Sequence, residues 1–174
     1  MKYILIGQKN VGKSSIFNRI LENKINIVNP IKGSTRDWIE QKKIYKDKII
    51  YLIDTPGINP LSGKLYDKKI LLYIKDKITE DITILFVVEV KNYENEIDDE
   101  ILRFVRKFNK NIVLIINKTD NKKLELNAYS FSKFGIKETF CISCSHNLGI
   151  DMLISHLFNR SKIFLNTNDE IIKD

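Results

Sequence analysis

The sequence contains little of what marks secreted, membrane-spanning or disordered chains. Its 174 residues include only two cysteines, three prolines and seven glycines, which excludes a disulfide framework and a low-complexity chain. Its longest mainly apolar run, residues 82–88, is far shorter than the ~18 residues that span a bilayer. The chain start also has too short an apolar core for a secretory signal. We therefore expect a soluble, cytoplasmic, single-domain protein without a membrane partner.

The basic surplus of the chain is a weak indication of its partner. Lys+Arg number 29 against 22 Asp+Glu, which gives a net charge of +7. Lysine outnumbers arginine 24 to 5, and alanine occurs once, at Ala128. This pattern is typical of AT-rich codon drift, whereas selection for phosphate recognition favours arginine. Drift is the preferred explanation, and a nucleic-acid or anionic partner stays open.

Short β-branched runs alternate with amphipathic segments along the chain, which predicts an α/β sheet with helices on both faces. Strands are predicted at residues 3–6, 82–88, 112–116 and 139–142, with a hairpin of 38–45 and 48–53. Helices are predicted at residues 13–21, 64–79, 97–108, 124–134 and 146–158. These elements predict one domain at residues 1–160, followed by a linker or frayed tail at 161–174.

A glycine-rich segment follows the first predicted strand and opens the first predicted helix. Residues 7–14 read GQKNVGKS and match the phosphate-binding pattern G-x-x-x-x-G-K-[ST]. Gly7 and Gly12 allow the backbone to approach phosphate groups, which face N–H groups and a helix N-terminus. Lys13 can neutralise the β- and γ-phosphates, and the Ser14 hydroxyl can bind Mg²⁺. A chance glycine turn is the alternative, and the strand–loop–helix context disfavours it.

A second motif, DTPG at residues 54–57, ends another predicted strand. A carboxylate is costly to bury there without a cation, so Asp54 can hold Mg²⁺ while the Gly57 N–H bonds a γ-phosphate. Taken alone, these residues equally suit a plain turn. Their pairing with the upstream glycine-rich loop favours a phosphate site.

A third motif, NKTD at residues 117–120, follows the strand predicted at 112–116. The Asp120 carboxylate can accept hydrogen bonds from the ring N1–H and the exocyclic amine of guanine, a donor pair that adenine lacks, and the Lys118 stem can lie along the base. A helix N-cap formed by Thr119 or Asp120 is the alternative. The carboxyl end of a strand in an open α/β sheet favours ligand binding. The motif therefore predicts a guanine nucleotide.

The three motifs, in this order and each after a strand, resemble those of the translation-factor-related GTPases over residues 1–160. The resemblance implies a three-layer, Ras-like P-loop GTPase domain whose mostly parallel sheet has one antiparallel edge strand. GSTRD at residues 33–37 is similar to the switch of the Era, TrmE and Der group, in which Thr35 would bind Mg²⁺ when GTP is bound. By the same resemblance the two switches would be residues 23–38 and 54–65.

Within this group the chain resembles best the first GTPase domain of the Der (EngA) proteins, whose motifs begin almost at the N-terminus. It departs from them in having DTPG at residues 54–57, as in Era, where the first domain of Der usually has DTGG. Der also needs a second GTPase domain and a KH-like domain, which this sequence does not include. An excised first domain and a reduced stand-alone relative both stay open.

The resemblance also implies roles for particular residues. SCS at residues 143–145 matches a loop usually written Ser-Ala-x, with Cys144 in place of the alanine. The backbone N–H groups of that loop approach guanine O6. Asn10 matches an asparagine that helps to bind K⁺, and Ile58 stands where a Ras-type enzyme has a water-orienting glutamine. The residues expected to act in catalysis are Lys13, Asn10, Thr35 and Gly57. Those expected to hold Mg²⁺ are Ser14, Thr35 and Asp54. Those expected at the nucleotide are Gly7, Asn10, Val11, Gly12, Lys13, Ser14, Ser15, Asn117, Lys118, Asp120, Ser143, Cys144 and Ser145.

The function implied by the resemblance is slow, K⁺-stimulated hydrolysis of GTP by a molecular switch. Its partner would be the large ribosomal subunit during assembly, and the isolated domain would be a monomer. One alternative is a guanine nucleotide-binding module with negligible hydrolysis, and another is a stand-alone Era-like GTPase. A third, an ATP-using enzyme, requires Asp120 to be idle.

The remaining conspicuous residues are given structural explanations. The two cysteines and two histidines make a poor zinc set, because Cys141 belongs to a predicted strand and Cys144 is needed at the base. His146 and His156 are expected to be a helix-cap neighbour and a surface residue. The acidic run at residues 94–100 is expected to be a solvated helix start, near the positive end of the helix dipole. Trp38 is expected to pack.

Overall fold

The computed structural model describes residues 1–22, 39–45, 48–58 and 68–160, which form one mixed sheet covered by helices on both faces. Its six strands are β1 Lys2–Ile6, β2 Ile39–Tyr45, β3 Lys48–Asp54, β4 Ile82–Glu89, β5 Ile112–Asn117 and β6 Thr139–Cys141. Their order across the sheet is β2-β3-β1-β4-β5-β6. β2 pairs antiparallel with β3 at one edge, and every other pair is parallel. The expected fold, a mostly parallel sheet with one antiparallel edge strand, is confirmed.

Five α-helices and two 3₁₀ turns connect these strands in the described part of the chain. The helices are α1 Lys13–Glu22, α2 Lys68–Lys77, α3 Glu96–Arg106, α4 Lys122–Ala128 and α5 Ile150–Arg160. The 3₁₀ turns are Val90–Asn92 and Tyr129–Phe134. Within the described ranges no helix is long and apolar enough to cross a membrane.

The core lies in two layers, one on each face of the sheet. Successive side chains of a strand point to opposite faces, so Tyr3 and Leu5 of β1 join one buried cluster, while Ile4 and Ile6 join the other. β4 and β5 are almost continuously apolar because both of their faces are covered. The Tyr3 hydroxyl donates a 2.6 Å hydrogen bond to the Leu157 carbonyl and thereby joins β1 to α5.

The predicted strand boundaries agree with the structure to within one residue, which is inside the usual uncertainty of such boundaries. The predicted start of the last helix at residue 146 is wrong, since α5 begins at Ile150. Asn147 and Gly149 have φ values of 54° and 70°, in the left-handed region that no helix uses. The segment 124–134 is an α-helix followed by a 3₁₀ turn. The tail 161–174, Trp38 and the turn at 46–47 lie outside the described residues.

Candidate nucleotide-binding site

A pocket of about 590 Å³ opens at the carboxyl ends of β1 and β3, beside the first turn of α1. The loop that joins β1 to α1 forms one wall, and the segment that follows β3 forms the other. Ligands of open α/β sheets bind at this edge because the strand ends leave a crevice there. The lining residues are Lys9, Asn10, Gly12, Lys13, Ser14, Ser15, Ile39, Asp54, Thr55, Pro56 and Gly57.

The phosphate loop, residues 7–14, needs glycine at two positions for steric reasons. A Cβ on Gly7 would lie 2.2 Å from the Val87 carbonyl oxygen. A Cβ on Gly12 would lie 2.2 Å from Nδ2 of Asn117, and the φ of Gly12 is +98°, which side chains rarely adopt. Asn10 is also left-handed, with φ of 67°. The loop therefore has a tight, fixed backbone at the start of α1.

Lys13 lies inside this loop and is only 5% exposed. Its Nζ donates hydrogen bonds of 3.1 Å to the Gly7 carbonyl and 2.7 Å to the Gln8 carbonyl. Burial lowers the pKa of Lys13 to about 8, an effect that nearby Asp54 opposes. A buried ammonium of this kind is stabilised by an anion that it faces, which fits the predicted phosphate contact.

Asp54 at the end of β3 faces Ser14 at the start of α1. The Ser14 hydroxyl donates a 2.7 Å hydrogen bond to Asp54 Oδ2, while Oδ1 is buried and has no partner among the described residues. Burial raises the pKa of Asp54, against the opposing effects of the Ser14 hydrogen bond and of Lys13. An orphaned carboxylate oxygen beside a hydroxyl is the oxygen-rich donor set that Mg²⁺ uses.

The segment after Asp54 is held to the phosphate loop by its backbone. Ile58 N–H donates to the Gly7 carbonyl at 3.2 Å, and Lys9 N–H donates to the Ile58 carbonyl at 3.1 Å. The Ile58 side chain is 1% exposed and belongs to the core. A Cβ on Gly57 would lie 2.4 Å from Lys9 Cα, so only glycine fits there. The residue at position 58 thus points away from the pocket.

Asn117 at the end of β5 joins the phosphate loop to the predicted base-binding segments. Its Nδ2 donates a 2.9 Å hydrogen bond to the Val11 carbonyl, and its Oδ1 accepts from the Cys144 N–H at 3.4 Å. Arg19 of α1 adds a second connection through a 3.1 Å hydrogen bond to the Cys144 carbonyl. Segments far apart in sequence are therefore brought together at one edge.

Lys118, the next residue, has a left-handed backbone with φ of 63°. Its Nζ forms a 2.6 Å ion pair with Glu89 at the end of β4, which was not predicted. This pair holds the lysine stem beside the strand ends, at the side of the site where Asp120 lies.

Asp120 is surrounded by hydroxyl groups and one imidazole. Its Oδ1 accepts from the Ser143 hydroxyl at 2.6 Å and lies 3.4 Å from the Ser145 hydroxyl and 3.3 Å from His146 Nδ1. The Ser143 hydrogen bond is the largest of the effects that lower the pKa of Asp120. His146 is not beside a helix cap as predicted, since α5 begins four residues later, at Ile150; its imidazole contacts the Asp120 carboxylate instead. His156 is also more than a surface residue, because it is partly buried against Phe140 and Glu138.

A buried contact between the phosphate loop and α3 was missed at the sequence level. Gln8 Nε2 donates a 2.8 Å hydrogen bond to Oδ1 of Asp98, which is 1% exposed. The expectation that the acidic run 94–100 is a solvated helix start is therefore wrong for Asp98. A signal was present, because Asp98 precedes Ile101, Leu102 and Val105 at helical spacing and so occupies the buried stripe of α3.

Most of the predicted site residues lie together at the carboxyl ends of the strands, and one group lies outside the described residues. Ser15 lines the pocket, and Ser143 and Ser145 lie beside Asp120. Thr35, the switch at residues 23–38 and residues 59–65 of the second switch lie outside the described residues. Both cysteine thiols are half-buried, and burial raises the pKa of Cys144 to about 11.

Comparison with known families and proteins matches this chain to GTPases. Residues 2–118 match a family model described as 50S ribosome-binding GTPase. The protein named GTPase Der from Campylobacter fetus is 39% identical over 172 residues, which cover 97% of this chain and 37% of the relative. GTPase Der from Campylobacter lari is 40% identical over 170 residues, which cover 96% of this chain and 36% of the relative. The chain thus spans little more than a third of the length of these relatives.

Solved structures agree with the fold. A crystal structure of Era with MgGDPNP and nucleotides of 16S ribosomal RNA has a TM-score of 0.73 at 25% identity, covering 99% of this chain and 59% of that one. Era from Aquifex aeolicus bound to GDP·AlF4⁻ has a TM-score of 0.73 at 26% identity, covering 92% of this chain and 56% of that one. The G domain of FeoB from T. maritima has a TM-score of 0.64 at 27% identity, covering 90% of this chain and 97% of that one, and shares the same architecture.

Proposed function

Since this chain belongs to the family of 50S ribosome-binding GTPases, we propose that it binds GTP and GDP, hydrolyses GTP and acts as a Der-like molecular switch. The observation that carries the proposal is the joining of three distant segments by Asn117. Its side-chain amide donates a hydrogen bond to the Val11 carbonyl in the phosphate loop and accepts one from the Cys144 N–H in the loop of residues 143–145. A nucleotide in the crevice would then touch both loops at once.

Recognition of guanine is assigned to Asp120. Its carboxylate accepts from the guanine N1–H and amino group, and Ser143 holds it in its charged form through a 2.6 Å hydrogen bond. Adenine offers no matching pair of donors, and a site built on such hydrogen bonds rejects the analogue that lacks them. The ATP-using alternative therefore conflicts with the role assigned to this carboxylate.

Magnesium would be held by Ser14 and Asp54, with Thr35 as the third protein residue implied by the resemblance. The buried Oδ1 of Asp54, which has no partner in the part of the chain that the structure describes, supports this assignment, because a cation nearby offsets its desolvation. When bound, Mg²⁺ neutralises phosphate charge. Lys13 supplies a second positive charge, already directed into the loop by two carbonyls.

Hydrolysis must proceed without a glutamine at position 58, whose isoleucine side chain lies in the core. We assign K⁺ to the vicinity of Asn10, which lies in the pocket wall with a left-handed backbone. A positive charge there would take the place of an arginine finger, an effect worth ~10³–10⁵ in rate in other GTPases. The Gly57 N–H is assigned to the γ-phosphate, next to a backbone held by the Ile58 hydrogen bonds.

The burial of Ile58 also favours a second candidate, a module that binds guanine nucleotides and scarcely hydrolyses GTP. Both candidates predict the same nucleotide affinity, so hydrolysis alone separates them. The biological partner in either case would be the large ribosomal subunit in the cytoplasm, with residues 1–160 as the GTPase domain. A stand-alone Era-like role is the alternative at this level.

The test of guanine recognition uses the 174-residue chain and fluorescent GDP, with ATP, GTP and xanthosine diphosphate as competitors. Asp120→Asn exchanges a carboxylate acceptor for an amide donor. The variant should lose GDP affinity by about 100-fold and gain affinity for the xanthine nucleotide, since two charge-assisted hydrogen bonds are lost. Asp151→Asn, an exposed acid in the first turn of α5, is the charge-matched control. Equal competition by ATP, or unchanged GDP affinity in Asp120→Asn, would refute the assignment.

Hydrolysis is tested by single-turnover measurements with GTP in K⁺ and Na⁺ buffers of equal ionic strength. Turnover that is faster in K⁺ than in Na⁺ supports the K⁺ site, provided that Asn10→Asp or Asn10→Ala removes this difference between the two salts. Equal rates in both salts overturn the K⁺ part of the proposal and leave the GTPase activity standing. No turnover in either buffer, with GTP bound, favours the binding module.

A further inference from the structure

The parallel strands begin at the end of the sheet opposite the nucleotide site, and this end carries a concentration of positive charge. This amino-terminal edge consists of residues 75–81, 103–111 and 135–138, which lead into β4, β5 and β6, together with Arg160. Its segments contact one another, since Asn109 Nδ2 donates to the Thr79 and Ile82 carbonyls at 2.8 Å. Its cations are Lys75, Lys77, Arg103, Arg106, Lys107, Lys110, Lys137 and Arg160. Its acids are Asp76, Glu80, Asp81 and Glu138.

The end of α3 is the most basic part of this edge. Residues 103–111 contain four cations and no acid, whereas residues 94–100 at the other end of the same helix contain five acids. Interaction with the helix dipole accounts for cations in the last turn, where Arg103 and Arg106 lie. It does not account for Lys110 or Lys137, which lie in the loops before β5 and β6.

A cleft of about 310 Å³ lies between these two loops and is lined by Arg106, Lys110 and Lys137. Arg106 Nη2 donates to the Phe134 carbonyl, which holds the guanidinium at the cleft. The acid of the cleft, Glu138, is already engaged by His156 at 3.2 Å and by Arg160. Among the described residues no carboxylate lies within ion-pair distance of Lys110 or Lys137. The cleft thus offers positive charge to an external anion.

An aromatic ring lies among these cations. Phe108 is 37% exposed, packs edge-on against Phe104 with centroids 5.1 Å apart, and has Lys75 Nζ 5.9 Å from its centroid. An exposed ring flanked by cations suits nucleic acid, because bases stack on rings while phosphates face the positive charges. An anionic lipid surface would use the charges alone and has no need of the concave cleft.

We propose that the amino-terminal edge, centred on Lys107, Lys110 and Lys137, binds the phosphate backbone of RNA. The proposal rests on the ribosomal partner proposed above and names the surface that meets it. The six residues of β5 separate this edge from Asn117, a distance of about 20 Å at the rise of a β-strand. RNA and nucleotide therefore occupy opposite ends of the sheet and bind at the same time.

The experiment measures binding of the 174-residue chain, loaded with GDP and Mg²⁺, to a fluorescein-labelled RNA hairpin by anisotropy over a range of salt concentrations. The edge variant reverses three charges of exposed side chains: Lys107→Glu, Lys110→Glu and Lys137→Glu. The control variant makes the same change in net charge near the nucleotide edge: Lys91→Glu, Lys122→Glu and Lys123→Glu. Vesicles of phosphatidylcholine and phosphatidylserine form a second arm.

The edge variant should bind the hairpin at least about tenfold more weakly, and its plot of log affinity against log salt should be flatter by about 2–3, as expected for three lost phosphate contacts. The control should stay within about twofold of wild type. GDP affinity, measured separately, should be unchanged in the edge variant, and both variants are compared with GDP at saturation. RNA should also protect Lys107, Lys110 and Lys137 of the wild-type protein from amine acetylation, which does not depend on any variant folding.

Equal weakening in both variants would overturn the proposal, because attraction would then follow net charge rather than this edge. Tighter binding to vesicles than to RNA, or acetylation unaffected by RNA, would also overturn it. Any of these results with intact GDP binding leaves the proposed nucleotide function standing. If the wild-type protein did not bind GDP, that result would instead refute the nucleotide function.

Discussion

Replacement of the buried Asp98 by asparagine should stabilise the protein at neutral pH. Asp98 is 1% exposed, and its Oδ1 accepts a hydrogen bond from the neutral amide of Gln8, while its Oδ2 is buried and has no partner within the described ranges. Burial raises the pKa of Asp98 from 3.8 to about 6, against the effect of the Gln8 hydrogen bond. The shift corresponds to a cost of about 3 kcal/mol for keeping the carboxyl charged.

Asp98→Asn removes this cost and keeps the acceptor that Gln8 uses. Its new amide N–H group takes the unpartnered position, which costs about 1 kcal/mol, so the net gain above pH 6 is about 2 kcal/mol. The folded protein binds the Asp98 proton more tightly than the unfolded chain does. Protonation of Asp98 therefore raises the free energy of unfolding of wild type as the pH falls from about 6 towards 3.8. The stability advantage of the variant should vanish over the same range.

The assay is urea unfolding of wild type, Asp98→Asn and Asp99→Asn at a pH of about 7.5 and of about 5. Asp99 is the matched control, because it is partly exposed and pairs with Lys133 at 2.8 Å, so its replacement should change the free energy of unfolding by less than about 1 kcal/mol. Equal destabilisation of Asp98→Asn at both pH values would refute the reasoning. That result would mean that the charge itself stabilises the contact with the phosphate loop.

Three further outcomes follow from particular contacts. Gly12→Ala should weaken GDP binding at least about tenfold, because its Cβ meets Asn117. Gly135→Ala is the control: none of the described residues lies within 4 Å of the added Cβ, and fluorescent GDP titrations should be unchanged. Tyr3→Phe should lower the free energy of unfolding by about 1–3 kcal/mol in urea, since the Leu157 carbonyl loses its buried donor; unchanged stability would contradict this. The Cys144 thiol, with a pKa raised to about 11, should react with an aromatic disulfide about 100-fold more slowly in the folded than in the unfolded protein; equal rates would contradict its burial.

The interior strands could be predicted well because burial on both faces of the sheet gives each of them one uniform apolar pattern. β4 and β5 are covered on two faces and so are apolar throughout. The start of α5 could not be predicted in the same way. Gly149 is left-handed, with φ of 70°, and a Cβ on it would lie 2.4 Å from the Cys141 carbonyl oxygen. Only glycine fits there, and this constraint comes from packing against β6, which the helical residue pattern does not show.

The candidate site could be predicted at the level of motifs but not at the level of contacts between them. The phosphate loop and Asp54 are identified by residue types that physical chemistry requires at fixed spacing. The hydrogen bond from Asn117 to Val11 joins residues 106 positions apart, and the bond from Gln8 to Asp98 joins residues 90 apart. Such pairs depend on the packing of the whole sheet, which no local pattern contains.

Buried charges fall into two classes that can be distinguished by whether they line the nucleotide pocket. Asp98 bonds a protein amide and Lys43 bonds the Ile20 and Leu21 carbonyls at the end of α1, and neither lines the nucleotide pocket, so both are parts of the internal structure. Asp54 and Lys13 both line this pocket, and Asp54 has one buried oxygen without a partner among the described residues. Because an uncompensated buried charge destabilises the fold, a carboxylate and an ammonium that face one crevice are best explained by ligands of opposite charge. A phosphate with its magnesium ion supplies both.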